Sequence, residues 1–298
     1  MLHGRSLGVV VVPAVLGSLA TITVLFRCYV RIRIVNRFGW DDGFMATAMI
    51  TNLMFALCGI IGGVYGIGRK TEDFHDRPKD FQRAMLCWWL GQLSYAITAT
   101  IMRVSIGLTL ARFAPSKVHL RFLYGIIVLS TLTGVLLFFF ATFQCSPVSY
   151  YWDKTPGQGI CHNDIEVKII YFYSGIDAVF DLAIGILPAL FISHLLLDRS
   201  DKIAIAGLLG LGCLALAAVI ARAPFVHLMT EESFLYETTM VAITSDIETS
   251  VGIIAGSFMV MRPAFSMFTK SKAKGLGKCH LTTLTDSQMT GDTLKAEA

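Results

Sequence analysis

Long apolar segments separated by short polar stretches dominate the pattern of this chain. An α-helix of about 20 residues, rising about 1.5 Å per residue, crosses the roughly 30 Å apolar core of a bilayer. Counting such segments predicts an all-α fold, a seven-transmembrane helix bundle. The predicted spans are Leu7 to Phe26, Gly43 to Gly66, Ala84 to Leu110, Leu120 to Phe143, Lys168 to Leu197, Ile203 to Leu228 and Thr239 to Met261.

The segments between the spans are short, which predicts one membrane domain over residues 1–267. Residues 268–298 are rich in Lys, Thr and Gly and lack apolar periodicity, so a disordered tail is expected there. Lys and Arg are more numerous after the odd-numbered spans and in the tail than on the other side. This asymmetry predicts an N-terminus outside and a cytosolic C-terminus.

Composition supports a multi-pass membrane protein. The chain is 54% hydrophobic and 15% charged, whereas soluble domains carry about 25% charge. The net charge of +4 does not call for a nucleic-acid partner, because the basic residues lie beside predicted cytosolic helix ends, where anionic lipid attracts them. The predicted partner at this level is the lipid bilayer. Composition does not distinguish a plasma-membrane protein from one of the endomembranes.

The fifth predicted span carries two acids in its middle. Asp177 and Asp181 are four residues apart and therefore share one helix face. An ionisable group at this depth costs at least about 2.5 kcal/mol unless something compensates it. Pro188 should kink the helix beyond them. The acids are expected to face the protein interior.

Other predicted spans contain ionisable residues as well. The full set is Asp177, Asp181, Asp246, Glu248, Arg103 and Arg222. Because four acids face two bases, at least one acid must be protonated, hydrogen-bonded to polar neighbours or wetted by a cavity. Such an imbalance marks a functional-site candidate.

Three interpretations of these residues are open at this level. The charges lock helices together, or they line a pocket for a lipophilic ligand with a polar head, or they form an acid/base active site. The candidate ligand-binding residues are Arg103, Arg222, Asp246, Gln92 and Tyr95. In the catalytic interpretation a protonated Asp177 or Asp181 donates a proton and Glu248 accepts one. The residues alone do not decide whether the chain is an enzyme.

No cofactor or metal is predicted. A retinal protein needs a lysine amine in the middle of the seventh span to form a Schiff base, and that span has none. Lys168 lies only at a helix end, so no retinal is expected. The cysteine spacing contains no CxxC pair that would suggest a metal site.

A disulfide is expected on the predicted outer side. Cys145 and Cys161 flank the segment between the fourth and fifth spans, and a bridge between them would close that loop. Cys87, at the outer end of the third span, is the alternative partner of either one. On the opposite side, Asp41 or Asp42 is expected to cap the second span, with a ligand or partner role as the alternative.

Several stretches resemble the fungal rhodopsin-domain family of seven-helix membrane proteins, a group that includes the satratoxin-cluster membrane protein and receptor-like members. They are RCYVRIRIVNRFGWDD, FQCSPVSYYWDKTPGQGIC, DLAIGILP, RSDKIAIAGLLGLGCLALAAVIAR and IETSVGIIAGSFMVMRPAF. The chain departs from the family pattern at Arg103, at Ser245 with Asp246, and near Met259. Asp246 is thus an additional acid, which suggests a specialised pocket.

The resemblance implies the seven-helix fold and a place in fungal secondary metabolism. The expected function is to bind a lipophilic small molecule in an intramembrane pocket between helices three, five, six and seven, or to convert it as a cyclase or isomerase. The alternative is a receptor-like signalling protein that senses such a ligand. Asp-Arg-Tyr and Asn-Pro-x-x-Tyr motifs, familiar from receptors, are missing at the ends of the third and seventh spans.

Overall fold

The computed structural model divides the chain into a unit covering Met1–Val260 and a second covering Met261–Ala298. Of the second unit only its first residue is described, so the predicted tail lies outside the described residues. The described residues are 5–36, 38–70, 74, 77–112, 116–153, 159–161, 163–193, 210, 212–214, 216–218, 220–222 and 234–261.

Helices make up almost all of the described chain. They are α1 (Arg5–Tyr29), continued by a π-helical turn (Val30–Ile34), α2 (Trp40–Tyr65), α3 (Pro78–Ala111), α4 (Lys117–Phe143), α5 (Asn163–Ser193), α6 (the helical residues 212–214, 216–218 and 220–222), α7 (Phe234–Glu237) and α8 (239–261). The first helix continues past the predicted end of its span because the segment RCYVRIRI contains neither Gly nor Pro.

Among the residues that the structure describes, four helical segments are long and apolar enough to cross a membrane, and they identify the chain as a membrane protein. They are Arg5–Ile34, Trp40–Tyr65, Pro78–Ala111 and Lys117–Phe143. Their outward faces carry large apolar side chains, with Leu25 65%, Ile50 64% and Leu132 62% exposed. Lipid, unlike water, accommodates such a surface. The count of seven spans and the orientation of the termini stay predictions.

Close packing near the C-terminal end of α2 depends on glycine. A Cβ atom placed on Gly63 would lie 2.8 Å from Cγ2 of Val10 on α1. On the neighbouring face of α2, a Cβ on Gly62 would lie 3.1 Å from Cβ of Cys87 on α3. Hydrogen in place of a side chain lets the three helix backbones approach one another.

A small hairpin follows α4. Strand β1 (Cys145–Ser146) pairs antiparallel with β2 (Ile160–Cys161), and Cys145 lies opposite Cys161. The two cysteines form a disulfide, which confirms the favoured pairing, and Cys87 is a free thiol. Trp152 in this loop packs on Trp89 of α3, with the ring centroids 5.2 Å apart. The loop is thereby held against the bundle.

Buried apolar side chains form separate clusters along the bundle. One cluster contains Met45, Ile106 and Leu123, and another, nearer the disulfide, contains Trp88 and Leu235. Between these clusters α3 and α8 also bury polar or charged side chains, including those of Arg103, Asp246 and Glu248. The apolar core is therefore interrupted at mid-bundle by the side chains that form the candidate site.

Candidate functional site: a buried ion-pair network beside a cavity

Arg103 on α3 lies at the centre of a buried ion-pair network. Its Nη1 is 2.9 Å from Oδ1 of Asp177 on α5, and its Nη2 is 2.6 Å from Oε1 of Glu248 on α8. Nη1 also donates a hydrogen bond to the hydroxyl of Tyr173 over 2.6 Å. The Arg103 side chain is only 1% exposed, so these contacts replace solvent.

Arg222 on α6 reaches the same two acids. Its Nη1 lies 3.2 Å from Oε2 of Glu248, and its Nη2 lies 3.7 Å from Oδ2 of Asp177. Each carboxylate therefore lies between two guanidinium groups, and two positive charges balance two negative ones. Mutual neutralisation of this kind is what allows charges to be kept out of water.

Hydroxyl groups accept further hydrogen bonds from the two Nη atoms of Arg222. Tyr95 accepts from Nη1 of Arg222 over 2.7 Å and donates to Oε2 of Glu248 over 3.0 Å. Ser245 and Ser174 accept from the two Nη atoms over 3.2 and 3.1 Å. Tyr95 thus connects the base and the acid through a single oxygen atom.

The two acids that outnumber the arginines, as expected from the sequence, are Asp181 and Asp246. Asp181 is 6% exposed and Asp246 is 1% exposed. Oδ2 of Asp181 and both carboxylate oxygens of Asp246 have no hydrogen-bond partner among the described residues. Both oxygens of Asp177 also lack a hydrogen-bond partner in the described ranges, so ion pairs are what distinguish the four acids. Asp177 and Glu248 are paired with arginines, whereas no such ion pair reaches the other two within the described part of the chain.

A cavity adjoins the network. Its polar lining residues are Gln92, Tyr95, Arg222 and Ser245. The remaining walls are apolar, aromatic, glycine or thiol-bearing: Val9, Phe55, Cys58, Gly59, Ile67, Cys87, Trp88, Gly91, Leu137, Phe140, Ala141, Ile170, Tyr173, Val241 and Ala242. A largely apolar cavity with a few convergent polar groups is typical of a small-molecule site.

The structure separates the predicted site residues into two groups. Gln92, Tyr95 and Arg222 line the cavity. The remaining candidates do not line it: Arg103, Asp177, Asp181, Asp246 and Glu248. The cavity also reaches α1, α2 and α4, so its walls extend beyond the four helices expected from the sequence.

Helical spacing explains how these side chains converge. Gln92 and Tyr95 are three residues apart on α3, as are Ser245 and Glu248 on α8, and each pair shares a helix face. Tyr173 was not among the predicted site residues. It precedes Asp177 by four residues on α5, a spacing that points both side chains toward Arg103.

A second charged cluster lies at the other end of the bundle. Nε of Arg27 is 2.9 Å from Oδ1 of Asp42, and its Nη2 is 3.2 Å from Oδ2 of Asp41. Nη1 of Arg27 donates to the carbonyl of Gly256 on α8 over 2.7 Å. Arg27, which the apolar pattern assigns to a loop, is fully buried on α1.

Both acids of this cluster do more than cap a helix. Asp42 caps α2 by accepting from the backbone N–H of Gly39 over 3.1 Å. Asp41 pairs with Arg31 at 3.4 Å and with Arg112, and its carbonyl accepts from Ser105 on α3 over 2.6 Å. The pair Asp41 and Asp42 thereby ties α1, α2 and α3 together.

These features define the class of the molecule: a helical membrane protein with a paired charge network beside a largely apolar cavity. The chain belongs to the fungal rhodopsin domain family, whose sequence pattern matches residues 26–267.

One curated relative is Wortmanamides biosynthesis cluster protein C of Talaromyces wortmannii, which is 26% identical over 232 residues. The match covers 76% of this chain and 61% of the relative, so the chain spans about three fifths of the relative's length. No solved structure shows a significant match.

Proposed function

We propose that this chain is a membrane component of a fungal secondary-metabolite pathway and holds a lipophilic small molecule in the cavity beside Arg222. The cavity is the observation that carries the proposal. Its mostly apolar lining with a few convergent polar groups is the composition expected of a small-molecule site. Its apolar walls would receive the hydrocarbon part of such a molecule, and Arg222, Tyr95 and Ser245 would meet a polar group.

Similarity to a relative named for a biosynthesis cluster supports the pathway role. Membership of the fungal rhodopsin domain family is compatible with it and with a receptor role. Lipophilic intermediates partition into membranes, so a protein that binds them within its helix bundle needs no aqueous route for its ligand.

Binding is tested by recovering the bound molecule. The full chain, expressed in a fungal host that makes a candidate pathway intermediate, would be purified in detergent, and its extracted small molecules would be identified by mass spectrometry. Ala242→Trp would place a large side chain in the cavity. Leu136→Trp is the control, because Leu136 on α4 is 50% exposed and does not line the cavity. We expect a molecule that copurifies with the wild type and Leu136→Trp but not with Ala242→Trp. Identical extracts from all three would refute the proposal.

Conversion of the bound molecule is the second part of the proposal, and Tyr95 is the residue that favours it. The Tyr95 hydroxyl lines the cavity and donates to Glu248. Glu248 would accept the Tyr95 proton while Tyr95 accepts one from the ligand, so the carboxyl would act as a base without touching the cavity. Of the two proton donors predicted from the sequence, Asp177 is already paired with two arginines, which leaves Asp181 as the candidate donor. Neither acid lines the cavity, so its proton would have to reach the ligand through an intervening group.

The catalytic part is tested on metabolites. The fungal host would carry the wild type or one of four variants: Tyr95→Phe, Asp177→Asn, Asp181→Asn and Glu248→Gln. A product that is formed by the wild type and lost in the variants would support a cyclase or isomerase. A product that persists in Tyr95→Phe at wild-type levels would exclude the relay through this hydroxyl.

The alternative is a receptor-like signalling protein. It is favoured by α8, which contributes Ser245 to the cavity and accepts the Arg27 hydrogen bond at Gly256, so that one helix connects the ligand site with the distant charged cluster. The same strains distinguish the two roles. Unchanged metabolites together with a ligand-dependent transcriptional response, lost in Ala242→Trp, would support the receptor.

A further inference from the structure

Three side chains that line the cavity, those of Arg222, Ser245 and Trp88, each carry a hydrogen-bond donor that no described residue uses. We infer that the cavity selects a neutral molecule carrying a hydrogen-bond acceptor, such as an ester, lactone, ketone or amide, over a charged one. This inference rests on the proposed function and specifies the chemical class of its ligand. It follows from how Arg222, Ser245 and Trp88 use their polar atoms.

Arg222 can donate hydrogen bonds to a ligand through its N–H groups, whereas its positive charge is already offset by two neighbouring acids. Its two Nη atoms already face Glu248 and Asp177, at 3.2 and 3.7 Å. Its Nε has no hydrogen-bond partner among the described residues. A ligand oxygen could therefore receive a hydrogen bond from Arg222 without having to neutralise it.

Ser245 is the second donor. Its Oγ accepts from Nη1 of Arg222, and it donates no hydrogen bond to any residue in the described ranges. The hydroxyl proton is thus left for a ligand acceptor. Tyr95, by contrast, already donates its proton to Glu248.

Trp88 is a third hydrogen-bond donor, and it lies apart from Arg222 and Ser245. Its side chain lines the cavity, is 6% exposed, and leaves Nε1 without a partner in the described part of the chain. Trp88 precedes Tyr95 by seven residues on α3, which corresponds to about 10 Å along the helix axis. A ligand with a second acceptor at this separation would satisfy both ends of the cavity.

Charged head groups are disfavoured for two separate reasons. No carboxylate is among the lining residues that the structure describes, so a ligand cation would find no counter-charge. A ligand carboxylate would approach Arg222 close to Glu248, which already shares that guanidinium. Like charges that compete for one base raise the free energy of the complex.

The test uses probes that differ only in the head group. The full chain in lipid nanodiscs would bind radiolabelled methyl dodecanoate, with displacement by dodecanamide, dodecanoate, dodecylamine or dodecane. We expect the ester and amide to bind at least about tenfold more tightly than the carboxylate and the amine. Strongest binding by either ion would overturn the inference.

Variants assign the donors. Ser245→Ala removes the donor beside Arg222 and is expected to weaken the ester about threefold to tenfold while leaving dodecane unchanged. Trp88→Phe is expected to weaken, by a similar factor, a diester whose two carbonyl groups lie about 10 Å apart. Equal losses for the ester and dodecane would contradict the assignment, because they would reflect altered packing.

The same measurements separate this inference from the proposed function. Saturable binding of every probe with no preference among head groups, abolished by Ala242→Trp, would refute the inference and leave the cavity as a ligand site. Binding of no probe above the Ala242→Trp level would refute both.

Discussion

Arg222 donates a hydrogen bond from Nη1 to the phenolic oxygen of Tyr95 over 2.7 Å, and both residues line the cavity. This contact is where the cavity meets the ion-pair network, because Tyr95 donates onward to Glu248. A ligand that displaced Arg222 or the Tyr95 hydroxyl would change the contacts that neutralise Glu248. Ligand binding and the stability of the bundle are therefore coupled at this point.

Glu248→Gln is expected to destabilise the protein strongly. Among the described residues it would leave Arg103 and Arg222 with Asp177 as their only paired acid. Removing one partner of a buried ion pair costs about 3–5 kcal/mol. Thermal unfolding in detergent would measure the change. The matched control is Glu237→Gln, which removes a partly exposed partner of Arg5 at 3.4 Å and should cost about 0–1 kcal/mol.

Restoring the charge balance provides a sharper test of the network. In the double variant Glu248→Gln with Arg103→Gln, one charge of each sign is removed, so part of the lost stability should return. A double-mutant cycle measures this coupling. Additive effects of the two substitutions would contradict a shared network.

Asp246→Asn is expected to leave stability unchanged or to raise it. Both carboxylate oxygens of Asp246 lack hydrogen-bond partners among the described residues, and an amide is less costly to bury than an unpaired charge. Asp177→Asn is the comparison, since it removes ion pairs to two arginines and should be destabilising. A loss in Asp246→Asn as large as in Asp177→Asn, measured by thermal unfolding, would show that Asp246 has a charged partner.

Asp41→Asn is expected to loosen the other end of the bundle. Asp41 is fully buried and pairs with Arg27, Arg31 and Arg112, so losing its charge should cost about 3–5 kcal/mol. Arg112→Gln is the control, because this side chain is 45% exposed and should contribute only about 0–1 kcal/mol. Chemical denaturation would compare the two, and similar losses would argue against a role for burial.

Cys145→Ser is expected to lower the free energy of unfolding by about 2–4 kcal/mol, because it opens the loop that the disulfide closes. Cys87→Ser should change it far less, since this cysteine is a free thiol. Non-reducing peptide mapping would check the pairing. A peptide that joins Cys87 to either other cysteine would contradict the structure.

Local patterns predicted a substantial part of this architecture. Apolar segments identify a helical membrane protein because, in lipid, each segment forms its backbone hydrogen bonds internally as a helix. Asp177 and Asp181 fall on one face through their spacing alone. The disulfide between Cys145 and Cys161 was also predicted from the sequence, because the two cysteines flank a single short segment.

Charge counting identified an excess of acids without saying which acids were in excess. That assignment depends on contacts such as the one between Arg103 and Glu248, which are 145 residues apart in the chain. Periodicity within one helix carries no information about how a distant helix is rotated toward it. The burial of Arg27 was missed for a related reason: a basic residue after an apolar run is typical of a cytosolic loop.

The sequence by itself determined that the helices belong in a membrane and which polar residues each helix must hide, since both follow from hydropathy and from spacing along one helix. Only the tertiary structure decided that Asp177 and Glu248 share two arginines, that Asp246 is left over, and that Tyr95 and Arg222 face a cavity. Each of these depends on the convergence of side chains from separate helices, and packing between helices sets that convergence.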